Sequence, residues 1–495
     1  MRKIISAQMK FGEVDISEVK FDPRSRDEIP KILMGLQYIF CNFEIRQEVF
    51  KILERIIPPD VDKDTGREGL DLWKILVLGT VRLNCNWDYD KIKEMADNHL
   101  TIRQMLGHGI FEHDKKYPLQ TIRDNVSLLT PKVLDEINQI IVHSGHKILK
   151  KNSEEKINIK VDSFVLETDV HYPTDINLLW DAARKVIQLT AKVCNGIKWP
   201  GWRNWEDNLK KVKRLFRRAQ KLQHSNSKNP AKREIKNKKI LKAYNKYMSA
   251  CKPLFDRAAV DIQNMFIQQI IENDIYEEIN RYIAHGERQI SQIKRRVING
   301  EKIPHEEKIF SLFQEHTEWI SKGKAGILTE LGLNVCVCED NFGFILHHRV
   351  MEKVTDEKIT VPIMREVKKR YDKINGCSFD AGFYTPNNSI ELKKMFDVVI
   401  LPKKGKLTDT EIAYVNSEEY INGRRKHAAV ESAINALENH GLDRCCDHGL
   451  IGFKRYVALA IVSRNLQKLG HILQQKELER IKRELRNRRK YRFAA

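Results

Sequence analysis

The sequence predicts an α/β fold in which a mixed sheet is covered by helices, interrupted by a long basic helical insertion and preceded by an all-α domain. Three patterns predict it. Apolar residues recur with helical spacing through residues 1–150. They alternate, as in strands, in several segments after residue 155. Helical spacing returns between residues 174 and 320, which we interpret as an insertion. When this insertion is left out, the remaining strands and helices follow an order typical of a single domain with a sheet covered by helices.

Four segments are predicted along the chain. A length of 495 residues is too great for one simple core, so two or three domains are expected. Residues 1–150 form a helical N-terminal domain, which stretches such as FCNFEIRQEVFKILERIIP and LDLWKILVLGTVRLN predict. Residues 151–475 form the sheet-containing domain, interrupted by the insertion at 174–320. Residues 476–495 form a charged C-terminal tail.

The elements of the sheet-containing domain are predicted in order. INIKVDSFVLETD, residues 157–169, alternates and predicts a strand. LGLNVCV, the turn EDNFG and FILHHRVME predict a β-hairpin. KITVPIMREVKKRYDKI and SIELKKMF predict helices, whereas GCSFD and DVVILP predict short buried strands. A further helix is expected from Lys426 to Asn439, with Gly441 as its stop.

The charge of the chain points to a polyanionic partner. The net charge is +20, and the segment from Lys198 to Arg257 contains nineteen Lys or Arg and four acidic residues, a net +15. Such concentration favours an element that follows nucleic-acid phosphates rather than a generally basic surface. No run of 18 apolar residues and no signal-peptide core is present, so we expect a cytoplasmic protein with no membrane partner. The nine cysteines have no paired metal spacing and are expected to be reduced.

Three carboxylates are the candidate catalytic and metal-binding residues. Asp162 lies inside an apolar strand, Asp380 closes the strand CSF, and Glu431 lies off the apolar face of its helix. Each alone also fits a structural role: an exposed strand residue, a turn or N-cap residue, and a solvated helix face. Together, in a basic α/β protein, they suit Mg²⁺ or Mn²⁺ and two-metal phosphodiester chemistry.

Competing interpretations concern neighbouring residues. Asp169 is the alternative to Asp162 as the first carboxylate. The Cys445-Cys446-Asp447-His448 run invites a zinc interpretation, but adjacent cysteines do not easily point at one ion. Glu339 and Asp340 fit turn chemistry better than a metal pair. The tryptophans at 199, 202 and 205 either pack between helices, the more frequent case, or stack on bases.

Several long blocks resemble one family. VDSFVLETDVHYPTD, HTEWISKGKAG, FGFILHHRVMEK, CSFDAGFYTPNN, LPKKGKLT and the block from RRKHAAVESAINALENHG to RNLQKLG resemble DDE transposases of bacterial insertion sequences, in particular the ISNCY-type group. The resemblance covers about residues 155–473, and the N-terminal domain is similar less specifically. It implies an RNase H-like catalytic domain in which Asp162, Asp380 and Glu431 bind two Mg²⁺ or Mn²⁺ ions.

One departure from the wider family concerns the residues around Glu431. Related transposases carry a Tyr-x2-Arg-x3-Glu-x6-Lys signature, but the corresponding positions here are Arg424, His427 and Glu438. Roles of the missing residues therefore do not transfer. DNA contacts are instead predicted for a set of basic residues in the insertion and before Glu431: Arg203, Lys210, Lys211, Lys213, Arg214, Arg217, Arg218, Arg424, Arg425 and Lys426.

The expected function is therefore transposition. The resemblance implies cleavage of insertion-sequence ends and joining of the 3′-OH to target DNA, without a covalent protein–DNA intermediate. Its partners are double-stranded DNA, as terminal inverted repeats and target, and further copies of the chain in a dimer or larger synaptic assembly, with the N-terminal domain contributing to DNA binding. We expect a nucleoid-associated protein of the bacterial cytoplasm. The alternatives are a catalytically idle or domesticated DNA-binding protein on the same fold, and a structure-specific nuclease.

Overall fold

The computed structural model describes residues 3–5, 12–57, 69–112, 114–149, 155–223, 229–321 and 329–493. Part of the SKGKAG motif lies outside this range. The chain forms two compact units, Met1–Asp169 with Glu318–Ala495, and Val170–Thr317. The N-terminal helices and the sheet thus share the first unit, and the second unit is the inserted helical segment.

The described residues form seventeen α-helices, and short polar side chains cap several of them, as at Asp27, Asn42 and Asp88. The helices are, in chain order, α1 (Glu28–Cys41), α2 (Phe43–Glu54), α3 (Leu72–Asn84), α4 (Tyr89–Asn98), α5 (Leu100–Met105), α6 (Leu119–Val126), α7 (Pro131–Leu149), α8 (Asp175–Gly196), α9 (Trp205–Gln223), α10 (Pro230–Ile267), α11 (Asn273–Ile293), α12 (Asp356–Arg370), α13 (Pro386–Met395), α14 (Asp409–Val415), α15 (Glu418–His427), α16 (Ala429–Leu437) and α17 (Gly449–Phe493). The charged C-terminal segment continues α17.

Seven strands form one mixed sheet in the described part of the chain. They are β1 (Ile157–Thr168), β2 (Glu318–Ile320), β3 (Glu330–Asp340), β4 (Ile345–Met351), β5 (Ile374–Phe379), β6 (Val398–Ile400) and β7 (Arg444–Cys445). On one side, β1 pairs antiparallel with β3, which pairs antiparallel with β2 and β4. On the other side, β1 pairs parallel with β5 and β7, and β5 pairs parallel with β6. The predicted α/β class, first strand and hairpin are confirmed, whereas β2 and β7 were not predicted.

The core of the first unit joins the N-terminal helices to the sheet. Twelve of the thirteen residues of α3 are buried, as expected of a helix without a polar face. α17 packs against α1, α3 and α7. Two glycines let α1 and α17 meet at the backbone, because a Cβ on Gly35 would lie 2.3 Å from Leu466 O and one on Gly470 would lie 1.7 Å from Lys31 O.

The second unit is a separate helical body with its own apolar core. α8, α9, α10 and α11 pack against one another, and Trp202 is buried among them. Asp261 fixes the tryptophan-rich turn, because its carboxylate accepts hydrogen bonds from Trp199 Nε1 at 3.3 Å and from Trp202 Nε1 at 2.7 Å. The geometry therefore favours the packing interpretation for Trp199 and Trp202 over stacking on bases.

Candidate functional site

Asp162 and Asp380 lie at adjacent positions of neighbouring parallel strands. Val161 pairs with Phe379 where β1 and β5 run side by side, so Asp162 and Asp380 each follow a paired residue at the same edge of the sheet. Asp162 is partly buried and accepts a 2.7 Å hydrogen bond from Ser163 N. The pKa of Asp162 is raised to about 6, chiefly by burial and also by the charge of Asp380, against the opposing effects of Ser163 N and His427. The two carboxylates therefore share one electrostatic environment.

Two cationic or ionisable side chains of α15 face Asp380. Nε2 of His427 lies 3.2 Å from Asp380 Oδ1, and Nη1 of Arg424 lies 3.4 Å from the same atom. Arg424 also donates to Phe379 O at 3.1 Å. His427 is the largest influence on the Asp380 carboxyl, and together with Arg424 it lowers the pKa of Asp380 despite partial burial. Arg424, predicted to contact DNA phosphate, is thus engaged with a candidate catalytic carboxylate, while Arg425 and Lys426 are exposed.

The Nε2 atom of the buried His427 side chain has no hydrogen-bond partner among the described residues. The side chain is only 3% exposed. Its Nδ1 lies 3.0 Å from Ser378 Oγ, which donates to Ile159 O. Its Nε2 contacts Asp380 electrostatically but has no well-directed hydrogen bond among the described residues. Incompletely satisfied buried polar atoms are uncommon in native cores and accumulate where ligands bind.

Glu431 lies in the first turn of α16, on its exposed side. The apolar stripe Val430, Ala433, Ile434 and Leu437 is buried, as the sequence predicts, and α16 packs against β1. The predicted continuous helix is instead broken at Ala428, where α15 ends and α16 begins. A π-helical turn, Glu438–Leu442, follows α16 and contains Gly441 at φ +95°. Within the described part of the chain, the Glu431 carboxylate has no hydrogen-bond or ion-pair partner.

A fourth carboxylate, which the sequence did not indicate, lies beside Asp162. Asp356 is in the first turn of α12, and its Oδ1 accepts a 2.7 Å hydrogen bond from Ser163 Oγ. Its charge also contributes to raising the pKa of Asp162. The sequence marks Thr355 and Asp356 only as ordinary helix-start chemistry. Long-range pairing of the hairpin with β1 is what brings α12 to this edge, and no local signal reports it.

The residue types at this site suit a divalent cation, but the positions of the side chains do not form a complete metal site in the described residues. Asp162 and Asp380 supply hard oxygen donors, and a cation between them would relieve the repulsion that raises the pKa of Asp162. Among the described residues, however, no three His, Cys, Asp or Glu side chains converge on one point as metal ligands. The structure thus brings together Asp162 and Asp380, adds Asp356 and His427, and leaves Glu431 as a nearby element without a direct contact to them.

The remaining aspartate candidates, including the one in the Cys445–His448 run, have structural partners. Asp169 is exposed and pairs with Arg444 at 3.6 Å. Asp340 accepts from Phe342 N and Phe344 N, each at 2.9 Å, which agrees with turn chemistry. Asp447 forms ion pairs with Arg82 at 3.3 Å and Arg455 at 3.1 Å, so it is committed to the core.

A strongly basic surface lies on the second unit. We call it the α9 basic face and define it by the exposed residues Lys210, Lys211, Lys213, Arg214, Arg217 and Arg218. The opposite side of α9 packs inward through residues such as Val212 and Ala219. Most of this face, with Lys221 and Leu222, lines an open groove of about 590 Å³. Arg203 is also exposed, just before the helix. Every basic residue predicted in the insertion is therefore available to a polyanion.

No family model, curated protein or solved structure matches the chain. Of the described helices, none is both long enough and apolar enough to span a lipid bilayer.

Proposed function

We propose that the chain is a DDE transposase with an RNase H-like catalytic domain. The observation that carries the proposal is the adjacency of Asp162 and Asp380 on neighbouring parallel strands, with Glu431 on a helix that packs against the first of them. In a sheet, residues at equal register on adjacent strands face the same side, so their carboxylates act at one place. Asp162 and Asp380, widely separated in sequence, thus lie side by side, and Glu431 lies on a helix that packs against β1.

The order of the strands supports the RNase H-like assignment. β1 is central, with the antiparallel β3 and β4 on one side and the parallel β5 and β6 on the other. We infer an RNase H-like domain from this arrangement of parallel strands on one side of β1 and antiparallel strands on the other. The first carboxylate lies in the middle of the central strand, and the second directly follows its parallel neighbour β5.

Asp162, Asp380 and Glu431 would hold the divalent ions. When bound, Mg²⁺ or Mn²⁺ activates the attacking oxygen and stabilises the leaving oxygen in phosphodiester cleavage and strand transfer. The protein side chains prepare the place for this chemistry. His427 and Arg424 lower the pKa of Asp380 and so keep it ionised. Ser163 N donates to Asp162 and orients one of its oxygens.

DNA is the substrate class that the charge distribution favours. The α9 basic face offers exposed Lys and Arg side chains on one helix, and such residues bind the phosphate backbone without reading its sequence. Arg425 and Lys426 add exposed positive charge on the same helix as Arg424, which contacts Asp380. Because both ends of an element must be held together, the proposal includes a dimer or larger assembly.

A catalytically idle DNA-binding protein is the second candidate. It is favoured by the lack of three converging ligands in the described residues and by the exposed, unpartnered carboxylate of Glu431. This candidate keeps the α9 basic face as the functional element and assigns the acidic pair no chemistry.

The proposal is tested by incubating the chain and its Asp380→Asn variant with DNA carrying the terminal repeats that flank its gene, in Mg²⁺ or Mn²⁺. Nicking at the element boundary and joining of the freed 3′-OH to a second DNA, both lost in the variant, are expected. Binding without cutting supports the second candidate. Cutting governed by DNA shape rather than by the repeats supports a structure-specific nuclease.

A further inference from the structure

A small basic pocket lies in the first unit, between α1, α17 and the π-helical turn after α16. Its volume is about 260 Å³, and Lys31, Arg464 and Lys468 line it together with Glu28. This is below the roughly 300 Å³ at which pockets for drug-sized ligands begin, but ample for one phosphate-sized group. None of these residues belongs to the candidate catalytic site.

Two of the cations in the pocket form no ion pair within the described part of the chain. Arg464 and Lys468 stand one helical turn apart on α17, where like charges repel. Arg464 donates to the neutral Gln467 Oε1 at 2.9 Å, and neither side chain forms an ion pair with any described carboxylate. Burial lowers the pKa of both Arg464 and Lys468. For Lys468, the positive charge of Arg464 lowers the pKa further. Partly buried cations are normally paired, so this pair implies a counter-anion.

The nearby carboxylates are already committed. Glu339 pairs with Lys160 at 2.5 Å. Glu28 pairs with Lys31 through Oε1 at 3.4 Å, while its Oε2 is buried without a hydrogen-bond partner among the described residues. Three basic side chains thus line the pocket with one carboxylate, whose buried oxygen suits the O–H of a singly protonated phosphate.

The backbone contact between the two helices makes the pocket rigid. Gly470 lies against Lys31 O, and Gly35 lies against Leu466 O, so the helices carrying the cations meet without intervening side chains. A site on packed helices holds its groups more firmly than one on loops.

We propose that this pocket binds a phosphate group, held by Arg464, Lys468 and Lys31. The group comes either from free phosphate or from a nucleic-acid backbone. Both sources present the same tetrahedral oxyanion to the same cations, and the proposal does not depend on the catalytic function.

The test compares the full chain with Lys468→Gln and with a matched control on the same helix, Lys482→Gln, whose side chain is exposed. Thermal unfolding is measured in inorganic phosphate and in chloride at equal ionic strength. At ten times its Kd, phosphate should raise the Tm of the wild type and the control by about 1–2 °C, and should leave Lys468→Gln unshifted.

Equal phosphate shifts in all three proteins, or none in the wild type, would overturn the proposal. The Lys468→Gln variant should fold, because it removes one of two repelling cations, and its Tm in chloride verifies this. A parallel titration with a short DNA duplex separates the sources. DNA affinity that falls only in Lys468→Gln identifies a backbone phosphate, and affinity unchanged in both variants identifies free phosphate.

Discussion

Asp162→Asn should make the metal-free protein more stable at neutral pH. The pKa of Asp162 is raised from 3.8 to about 6, chiefly by burial. A difference of two pKa units corresponds to about 3 kcal/mol, which partial solvent screening reduces to about 2 kcal/mol. The amide oxygen of Asn can accept from Ser163 N in place of the carboxylate oxygen, so the substitution removes the charge and retains the hydrogen bond.

The sign of this effect fixes its pH dependence. Below pH 3.8 Asp162 is protonated in both states and the substitution has little effect. Between 3.8 and 6 the unfolded chain releases the proton first, so the stability of the wild type falls as pH rises. Above pH 6 the full penalty is present, and the variant is more stable by about 2 kcal/mol.

Urea denaturation in EDTA at pH 4.5 and pH 7.5 measures this difference. The matched control is Asp169→Asn, because Asp169 is the alternative first carboxylate yet is exposed and paired with Arg444. The control should change little at either pH. An Asp162→Asn variant that is less stable than the wild type at pH 7.5, or equally affected at both pH values, would refute the reasoning.

Three further predictions concern packing and DNA binding. Gly470→Ala should lower the free energy of unfolding by about 1–3 kcal/mol, because its Cβ would collide with Lys31 O; an unchanged Tm contradicts this. Asn465→Ala should lower the free energy of unfolding, measured by urea denaturation, by about 2–4 kcal/mol. The reason is that the buried Asn465 donates to Asn138 Oδ1 at 2.7 Å and to Ile345 O at 2.9 Å. A loss below about 0.5 kcal/mol refutes that role. Replacing Arg214, Arg217 and Arg218 by Gln should weaken duplex binding and reduce the slope of log K against log salt by up to about 3, measured by fluorescence anisotropy; an unchanged slope excludes the α9 basic face as a phosphate contact.

Local pattern was sufficient to predict much of the sheet. The alternation around Asp162 and the turn EDNFG identify β1 and the β3–β4 hairpin, because strand periodicity and turn chemistry are encoded within a few residues. β7 has only two residues, so it carries no periodicity of its own. Its pairing with β1 depends on the fold around it.

The site was predicted only in part for the same physical reason. The residue types at Asp162 and Asp380 fit the chemistry, but their adjacency follows from the parallel pairing of β1 with β5. Asp356 reaches Ser163 across a long sequence separation, so the sequence alone indicates only a helix start. The break at Ala428 was also missed, because an alanine-rich stretch favours a continuous helix.

The sequence predicts a domain boundary near residue 150, but in the structure the helices before it and the sheet after it belong to one compact unit. α7 ends at Leu149, yet α3 and α7 pack against α17, more than 300 residues later in the chain, within one compact unit. Helical composition distinguishes the N-terminal segment from the strands that follow. It does not report which later helix completes its core.

The most direct test of the central claim is Mg²⁺-dependent strand cleavage by Glu431→Gln, with Glu419→Gln, an exposed residue of the neighbouring α15, as the matched control. DNA carrying the terminal repeats is the substrate, and binding is measured in parallel. The account predicts that Glu431→Gln binds these ends normally but does not cut them, whereas the control cuts like the wild type. Normal cleavage by Glu431→Gln would contradict its assignment as the third carboxylate, and a wild type that binds but never cuts would contradict the transposase itself.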